Sequence, residues 1–285
     1  METAMDELDA WQARVSDVGG RVVREALSHG TAQAGRAGAL VAAAEATALL
    51  GRRSARLLAG EAAVTAAVLN AVLPRLLGEA PTPASDLLVQ QFPVLVHGFA
   101  GELADTAGLS AAVRLDAALP AASVRPARGG CSVVQALPAT VRRLPELDAP
   151  AAVRVAASAV LAAGDELHRR MAEVRSEREP GAATLAEAYG TLYAAAAALH
   201  LWAEQAGFAE EPLWQDAGWL HAALAELADR LTALLGLPGP ASDDIAEAYG
   251  KLLATAAEAR SPLTPFGSTA AVAEQPAAAE EDRDV

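Results

Sequence analysis

The chain has 285 residues, a formal net charge of −14 and a single cysteine. Because binding to a nucleic acid requires clustered Lys and Arg to neutralise phosphates, this charge argues against a nucleic-acid partner. The lone Cys131 excludes an internal disulfide framework and favours a reducing compartment. The N-terminus lacks the basic and apolar parts of a signal peptide, and the longest weakly charged run, residues 37–50, is too short to cross a bilayer. The sequence therefore predicts a soluble, cytoplasmic protein without membrane contact.

Hydrophobic spacing in the first third of the chain predicts helices. Residues 6–28 place apolar side chains every three or four positions, which is typical of an amphipathic helix. Gly30 and Gly35 are expected to bracket a short break, because glycine favours turns over helix interiors. A long helical segment should then occupy residues 36–77, interrupted by Gly51, Gly60 and Pro74, with a kink or break near Gly51 and a weakened last turn at Pro74.

The middle of the chain is less regular. Residues 86–103 contain an internal proline, so two shorter helices are predicted there, and residues 110–119 should form another. Residues 120–130 show no period, which indicates an irregular loop. Residues 132–147 are apolar but interrupted by two prolines, whereas residues 151–178 restore an unbroken helical stripe.

The strongest pattern lies within residues 184–235, where a short segment containing Gly and Pro separates two apolar stripes. Helices on either side of such a break should fold back as an antiparallel hairpin, and this hairpin is the predicted core. The stripes comprise Leu185, Tyr189, Leu192, Ala196, Leu199 and Ala203, and then Leu213, Ala217, Leu220, Leu224, Leu227, Leu231 and Leu234. The acidic residues that fall off the stripes are Glu187, Glu204, Glu226 and Asp229.

No segment alternates with a period of two residues, so the sequence predicts an all-α, antiparallel helical bundle with no substantial β-sheet. We expect three parts: an N-terminal helix in residues 1–35, a bundle domain in residues 36–260 and a disordered acidic tail in residues 261–285. The tail is predicted from its Pro-, Ala- and acid-rich composition.

Catalytic and nucleotide-binding signatures are absent from the sequence. It contains no G-x-G-x-x-G, no G-x-x-x-x-G-K-[ST] and no G-x-S-x-G. The histidines show no metal-ligand spacing, and the pair His200 and Glu204, one helical turn apart, is interpreted as a half-exposed hydrogen-bonded pair, so no metal site is predicted. Cys131 could be a reactive thiol at a helix start, but a small buried residue is the favoured interpretation.

Two further groups of residues are candidate binding surfaces. Arg52, Arg53 and Arg56 form a basic patch that could meet a ligand phosphate or an acidic partner, with a solvated helix face as the alternative. Five aromatic residues could line an apolar ligand pocket, with core packing as the alternative. These residues are Tyr189, Tyr193, Trp202, Trp214 and Trp219.

Four segments together resemble the C-terminal helical domain of acyl-CoA dehydrogenases, particularly those of actinobacteria. The segments are RRSARLLAGEAAV at 52–64, DLLVQQFPVLVHGF at 86–99, LAEAYGTLYAAAAALHLWAEQ at 185–205 and LWQDAGWLHAALAELADRL at 213–231. The resemblance spans residues 36–235 and implies a helical bundle of that family.

The resemblance also has functional implications. Members of the family use FAD and a catalytic glutamate, for which Glu79 in Glu79-Ala80-Pro81-Thr82 is the nearest equivalent here. The family's small β domain, which walls the flavin, has no counterpart in this chain, so an incomplete flavin site is expected.

Three hypotheses follow. The first is an acyl-CoA dehydrogenase-like scaffold in acyl-thioester, fatty-acid or polyketide metabolism, which either holds an acyl chain or pairs with a complete dehydrogenase subunit or with its own copies. The second is an enzyme, either an FAD-dependent acyl dehydrogenase with Glu79 as base or a flavin-free isomerase or cyclase of a polyketide-like chain. The third is a structural or regulatory helical protein. The substrate and the oligomeric state are not specified by the sequence.

Overall fold

The computed structural model describes residues 2–79, 85–116, 130–205, 212–259 and 265–266, and within these ranges the chain is α-helical without a β-strand. The predicted all-α class is therefore confirmed. The helices are α1 Glu2–Leu27, α2 Thr31–Leu57, α3 Ala62–Leu76, α4 Ser85–Gln90, α5 Phe92–Ala100, α6 Thr106–Val113, α7 Ser132–Gln135, α8 Leu137–Arg143, α9 Ala151–Met171, α10 Ala182–Gln205, α11 Pro212–Gln215, α12 Gly218–Leu235 and α13 Ser242–Ala259. A short 3₁₀ turn, Ala59–Glu61, joins α2 to α3.

Helix α10 lies at the centre of the bundle, in contact with α2, α3, α9 and α12. Residues 188–203 are buried on every face, so the predicted apolar stripe describes only part of what α10 buries. Alanines occupy much of the remaining surface, and their small side chains let several helices approach α10 at once. The central helix of this fold is therefore apolar all round rather than amphipathic.

Helices α10 and α12 form the antiparallel pair that the sequence predicts. Glu187, near the start of α10, accepts a hydrogen bond from Arg230 near the end of α12. At the other end, the indole of Trp202 donates to the carbonyl oxygen of Trp214, just before α12 begins. Glu226, which falls off the predicted stripe, is buried rather than solvated, because α2 and α13 cover that side of α12.

Helix α2 differs from the prediction, because neither Gly35 nor Gly51 breaks it. A Cβ at Gly35 would lie 2.5 Å from Cβ of Tyr249, and a Cβ at Gly51 would lie 2.9 Å from the Leu69 side chain. Both glycines therefore sit where another helix packs closely, which explains them without a change of backbone direction. The break lies at residues 58–61, around Gly60, which is another of the predicted interruptions, and Pro74 lies in the last turn of α3.

The remaining boundaries follow the prediction in outline. The predicted pair of helices in residues 86–103 is confirmed as α4 and α5, with Pro93 in the first turn of α5. Helix α6 begins earlier than predicted, because the Asp105 carboxylate caps it by accepting a hydrogen bond from the amide of Gly108. Helix α9 ends at Met171, before the charged turn that the prediction included. The predicted loop at 120–130 and tail at 261–285 lie almost entirely outside the described residues, and no described helix is long and apolar enough to span a membrane.

Candidate functional site

Glu79, the glutamate proposed from the family resemblance, lies at the surface at the end of α3. Its carboxylate is 2.6 Å from the guanidinium of Arg14 on α1, and its side chain is 25% exposed. A base that removes a carbon-bound proton gains from a dry environment, whereas the Glu79 carboxylate is partly exposed and paired with Arg14. The catalytic role of Glu79 remains a prediction to which these surroundings lend no support.

The three arginines of the predicted basic patch contact neighbouring helices. Arg52 and Arg56 both pair with Asp9 of α1. Arg53 donates hydrogen bonds to two carbonyl oxygens at the C-terminal end of α6. All three guanidinium groups therefore help to hold α1 and α6 against α2. These contacts are within the chain, and the predicted binding of a phosphate or an acidic partner stays a prediction.

The five predicted pocket aromatics separate into two groups, both buried in the core. Trp214 and Trp219 make edge-to-face contacts with each other and with Phe266, while Trp202 bonds to the backbone of Trp214. Tyr189 and Tyr193 lie elsewhere on α10, beside Cys131. None of the five lines the clefts that contain Thr140, Arg175 and Ala156.

A polar cluster that the sequence does not reveal surrounds Cys131 in the core. Glu61 accepts hydrogen bonds from the amide and the hydroxyl of Ser132, at 2.8 and 2.6 Å, while burial raises the pKa of its carboxyl. Burial also raises the pKa of the Cys131 thiol to about 12, so this cysteine stays protonated. The Tyr193 hydroxyl points toward Ser54 and Thr65 without forming a regular hydrogen bond among the described residues. The cluster is polar but closed to solvent, which makes it a structural element rather than an accessible site.

An open cleft lies between α6, α8 and α10, and we call it the His200 cleft. Its volume is about 220 Å³. The apolar lining consists of Leu109, Val113, Ala136, Ala139 and Ala203, and the polar lining of Thr106, Ser110, Thr140, Arg143, His200 and Glu204. These residues come from helices that are distant in sequence, so only the packing of α6 and α8 onto α10 creates the cleft.

The hydrogen bonds of His200 fix its tautomer. Nε2 lies 2.7 Å from the carbonyl oxygen of Val133, which can only accept, so Nε2 carries the hydrogen. Nδ1, 2.9 Å from Oγ1 of Thr140, then accepts from that hydroxyl. Burial lowers the pKa of His200 to about 4, so the imidazole is neutral near pH 7. Both ring nitrogens are occupied, and no lone pair is available to act as a general base.

The predicted pairing of His200 with Glu204 is not present, because His200 turns toward α8 and is buried. Glu204 and Arg143 both line the cleft instead. Within the described ranges, neither of these two side chains forms an ion pair. The cleft therefore combines an apolar floor with the guanidinium of Arg143, the carboxylate of Glu204 and the acceptor oxygen of Thr140, and Glu204 also interacts electrostatically with Arg114.

The described residues bring no three His, Cys, Asp or Glu side chains together as a metal-binding group. Comparison of the chain with protein-family models, with curated proteins and with solved structures finds no match. The candidate site is therefore defined by its own geometry, and the resemblance to acyl-CoA dehydrogenases rests on the quoted segments alone.

Proposed function

We propose that this protein is a helical scaffold that binds a short acyl compound in the His200 cleft, and that it serves acyl-thioester metabolism. The observation that carries the proposal is a cleft with an apolar floor that is lined by Arg143, whose guanidinium forms no ion pair among the described residues, and by Glu204. An acyl chain would contact the floor, and its carboxylate or another anionic head would pair with Arg143. The quoted segments similar to acyl-CoA dehydrogenases favour an acyl ligand over other small apolar anions.

The state of His200 supports binding rather than acid–base catalysis. Its Nε2–H donates to Val133 and its Nδ1 accepts from Thr140, so the imidazole fixes the position of α8 against α10. Thr140 has given its only hydroxyl hydrogen to His200, which leaves its oxygen as an acceptor toward the cleft. A ligand group that donates a hydrogen bond, such as the amide of a pantetheine arm, would suit this oxygen and the Glu204 carboxylate.

The size of the cleft limits the ligand. A volume of about 220 Å³ corresponds to roughly seven water molecules at about 30 Å³ each. A linear acyl chain of roughly six carbons would occupy it. Longer chains would have to extend beyond the lining residues.

Calorimetric titration of the purified protein with hexanoate, hexanoyl-coenzyme A and hexanol tests the proposal. We expect hexanoate to bind more tightly than hexanol, because its carboxylate can pair with Arg143. Repulsion by Glu204 in the same cleft should limit the difference to about three- to tenfold. Arg143→Gln should remove most of this preference, and Ala139→Leu should weaken both ligands by filling the floor. Arg142→Gln is the matched control, since Arg142 pairs with Glu102 and does not line the cleft. Equal effects of the two arginine substitutions, or equal affinities for hexanoate and hexanol, would refute the assignment.

An absorption spectrum separates the scaffold from the dehydrogenase hypothesis. A flavoprotein shows bands near ~370 and ~450 nm that co-elute with the protein. If added FAD co-elutes in stoichiometric amount, the scaffold proposal is wrong and a flavin-dependent dehydrogenase takes its place. A protein that stays colourless while binding hexanoate supports the scaffold.

A further inference from the structure

A second cleft, independent of the first, lies between α9 and α12, and we call it the α9–α12 groove. Its volume is about 400 Å³. Helices α9 and α12 form its two sides, the loop at residues 238–240 lies at one end, and the start of α13 lies beside it. The lining residues that the proposal uses are Val155, Ala156, His221, Asp244 and Glu247. The floor is built mainly from alanine methyl groups on two packed helices, and Val155 at the edge is 71% exposed.

The charged lining of the groove has one sign. Asp244 and Glu247 lie on the first two turns of α13, and neither forms an ion pair with a basic residue in the described part of the chain. The start of a helix stabilises a carboxylate in its first turn, which accounts for Asp244. Glu247 lies one turn further along α13, where the helix dipole no longer stabilises a carboxylate. The helix dipole therefore does not account for Glu247.

His221 contributes a polar group without adding a charge. Burial is the main cause that lowers the pKa of its imidazole, and the ammonium of Lys251 lowers it further. Asp244 and Glu247 act in the opposite direction. The Lys251 ammonium donates to the carbonyl oxygen of Asp216, and Lys251 does not line the groove. The ionised groups of the lining are therefore two carboxylates above an apolar floor.

We propose that the α9–α12 groove binds a cationic amphiphile, an alkyl ammonium ion whose chain lies on the alanine floor and whose head pairs with Asp244 and Glu247. The volume of about 400 Å³ corresponds to roughly thirteen water molecules at about 30 Å³ each, which is enough for a chain of about eight carbons and its ammonium head. Burial of that chain supplies the affinity, and the two carboxylates select a cation over an alcohol or an acid. The proposal does not depend on the function assigned to the His200 cleft.

Titration with octylammonium, octanol and octanoate at low ionic strength tests the proposal, with ligand-observed NMR as the readout. Octylammonium should bind roughly tenfold more tightly than octanol, and octanoate should bind more weakly than both. Glu247→Gln and Asp244→Asn should each reduce octylammonium affinity by about three- to tenfold and leave octanol affinity unchanged. Asp243→Asn is the matched control, because Asp243 is exposed on the same turn of α13 but does not line the groove.

Two further measurements locate the ligand. Ala156→Leu should weaken octylammonium and octanol alike, because leucine fills part of the floor. A bound ammonium should lower the pKa of His221 in an NMR titration, because a nearby cation disfavours the imidazolium. Equal affinity for octylammonium and octanol, an Asp243→Asn effect as large as that of Glu247→Gln, or a His221 titration unaffected by ligand would each overturn the proposal.

Discussion

The carboxylate of Glu226 on α12 accepts a hydrogen bond from the hydroxyl of Tyr249 on α13. The other oxygen of Glu226 accepts two hydrogen bonds from Arg36 on α2, at 2.9 and 2.8 Å. One carboxylate that is 4% exposed thus connects three helices. The pKa of Tyr249 is raised, first by burial and then by its hydrogen bond to Glu226, so the phenol remains a donor.

Substitution of this pair should destabilise the fold in a coupled way. Tyr249→Phe removes one hydrogen bond and should cost about 1 kcal/mol, while Glu226→Gln weakens the bonds from both partners and should cost about 2 kcal/mol. The double variant should cost less than the sum by at least about 0.5 kcal/mol, because Glu226→Gln weakens the same hydrogen bond that Tyr249→Phe removes. Urea unfolding of the four proteins measures this coupling, and strictly additive costs would show that the contact contributes nothing.

Two glycines should respond to alanine in opposite directions. Gly35→Ala places a methyl group 2.5 Å from Cβ of Tyr249 and 3.2 Å from its backbone Cα, so α2 and α13 must separate, at a cost of about 1–3 kcal/mol. Gly250→Ala adds a methyl group with no atom within 4 Å, in the interior of α13. The better helix propensity of alanine should then stabilise the protein by about 0.5–1 kcal/mol. Thermal unfolding should show a lower melting temperature for the first variant and a higher one for the second.

The two buried histidines should make the protein less stable in mild acid. Burial lowers the pKa of His168 and of His200 to about 4, below the ordinary value of 6.5. Between these pH values the unfolded chain binds protons that the folded chain does not, so stability falls as pH decreases from 6.5 toward 4. Each histidine should contribute up to about 3 kcal/mol to this loss. Glu61, whose pKa is raised, acts in the opposite direction, so variants are needed to isolate the histidines.

Urea unfolding at pH 7 and pH 5 measures the effect. His200→Gln should be less stable than the native chain at pH 7, because it disturbs the bonds to Thr140 and Val133, but should lose less stability on acidification. His29→Gln is the control, since it makes the same substitution at an exposed histidine. An equal loss of stability in the native and His200→Gln proteins would contradict the assigned neutral state.

The thiol of Cys131 should be unreactive in the folded protein. It is 1% exposed and its pKa is raised to about 12, first by burial and then by the Glu61 carboxylate. Because the thiolate is the reactive form, Ellman's reagent at pH 8 should modify the native chain at least about 100-fold more slowly than the chain unfolded in urea. Rapid, complete modification of the native chain would show that Cys131 is accessible and would restore the alternative of a reactive thiol.

The structure shows which sequence features were informative. The spacing of apolar residues located α9, α10 and α12 because a helical stripe depends only on residues three and four positions apart. Glycine positions were informative only in part, since Gly30 and Gly60 lie at helix breaks, whereas Gly35 and Gly51 serve close helix packing. The prolines also differ: Pro93 marks the start of α5, as its missing amide hydrogen allows, whereas Pro74 lies inside α3.

Helix spacing does not predict the His200 cleft. The sequence paired His200 with Glu204, its neighbour along the helix, whereas the structure pairs His200 with Thr140 and Val133, which are 60 and 67 residues away. Four of the five aromatic residues lie on α10 and α12 as predicted, and Trp214 lies on the short α11 before α12. Whether they form a pocket or a core depends on what packs against them. Here other helices fill that space, and the alternative of core packing describes the observed contacts.

The sequence by itself determined the all-α class, the antiparallel pairing of α10 and α12 and the acidic character of the chain, because helix period, turn residues and charge are local properties. Only the tertiary structure decided that α10 is buried all round, that Glu226 joins three helices and that two clefts open beside Arg143 and Glu247. These features arise from contacts between residues far apart in the chain. In an alanine-rich helix almost any face can be buried, so the choice of face belongs to the packing of the whole molecule.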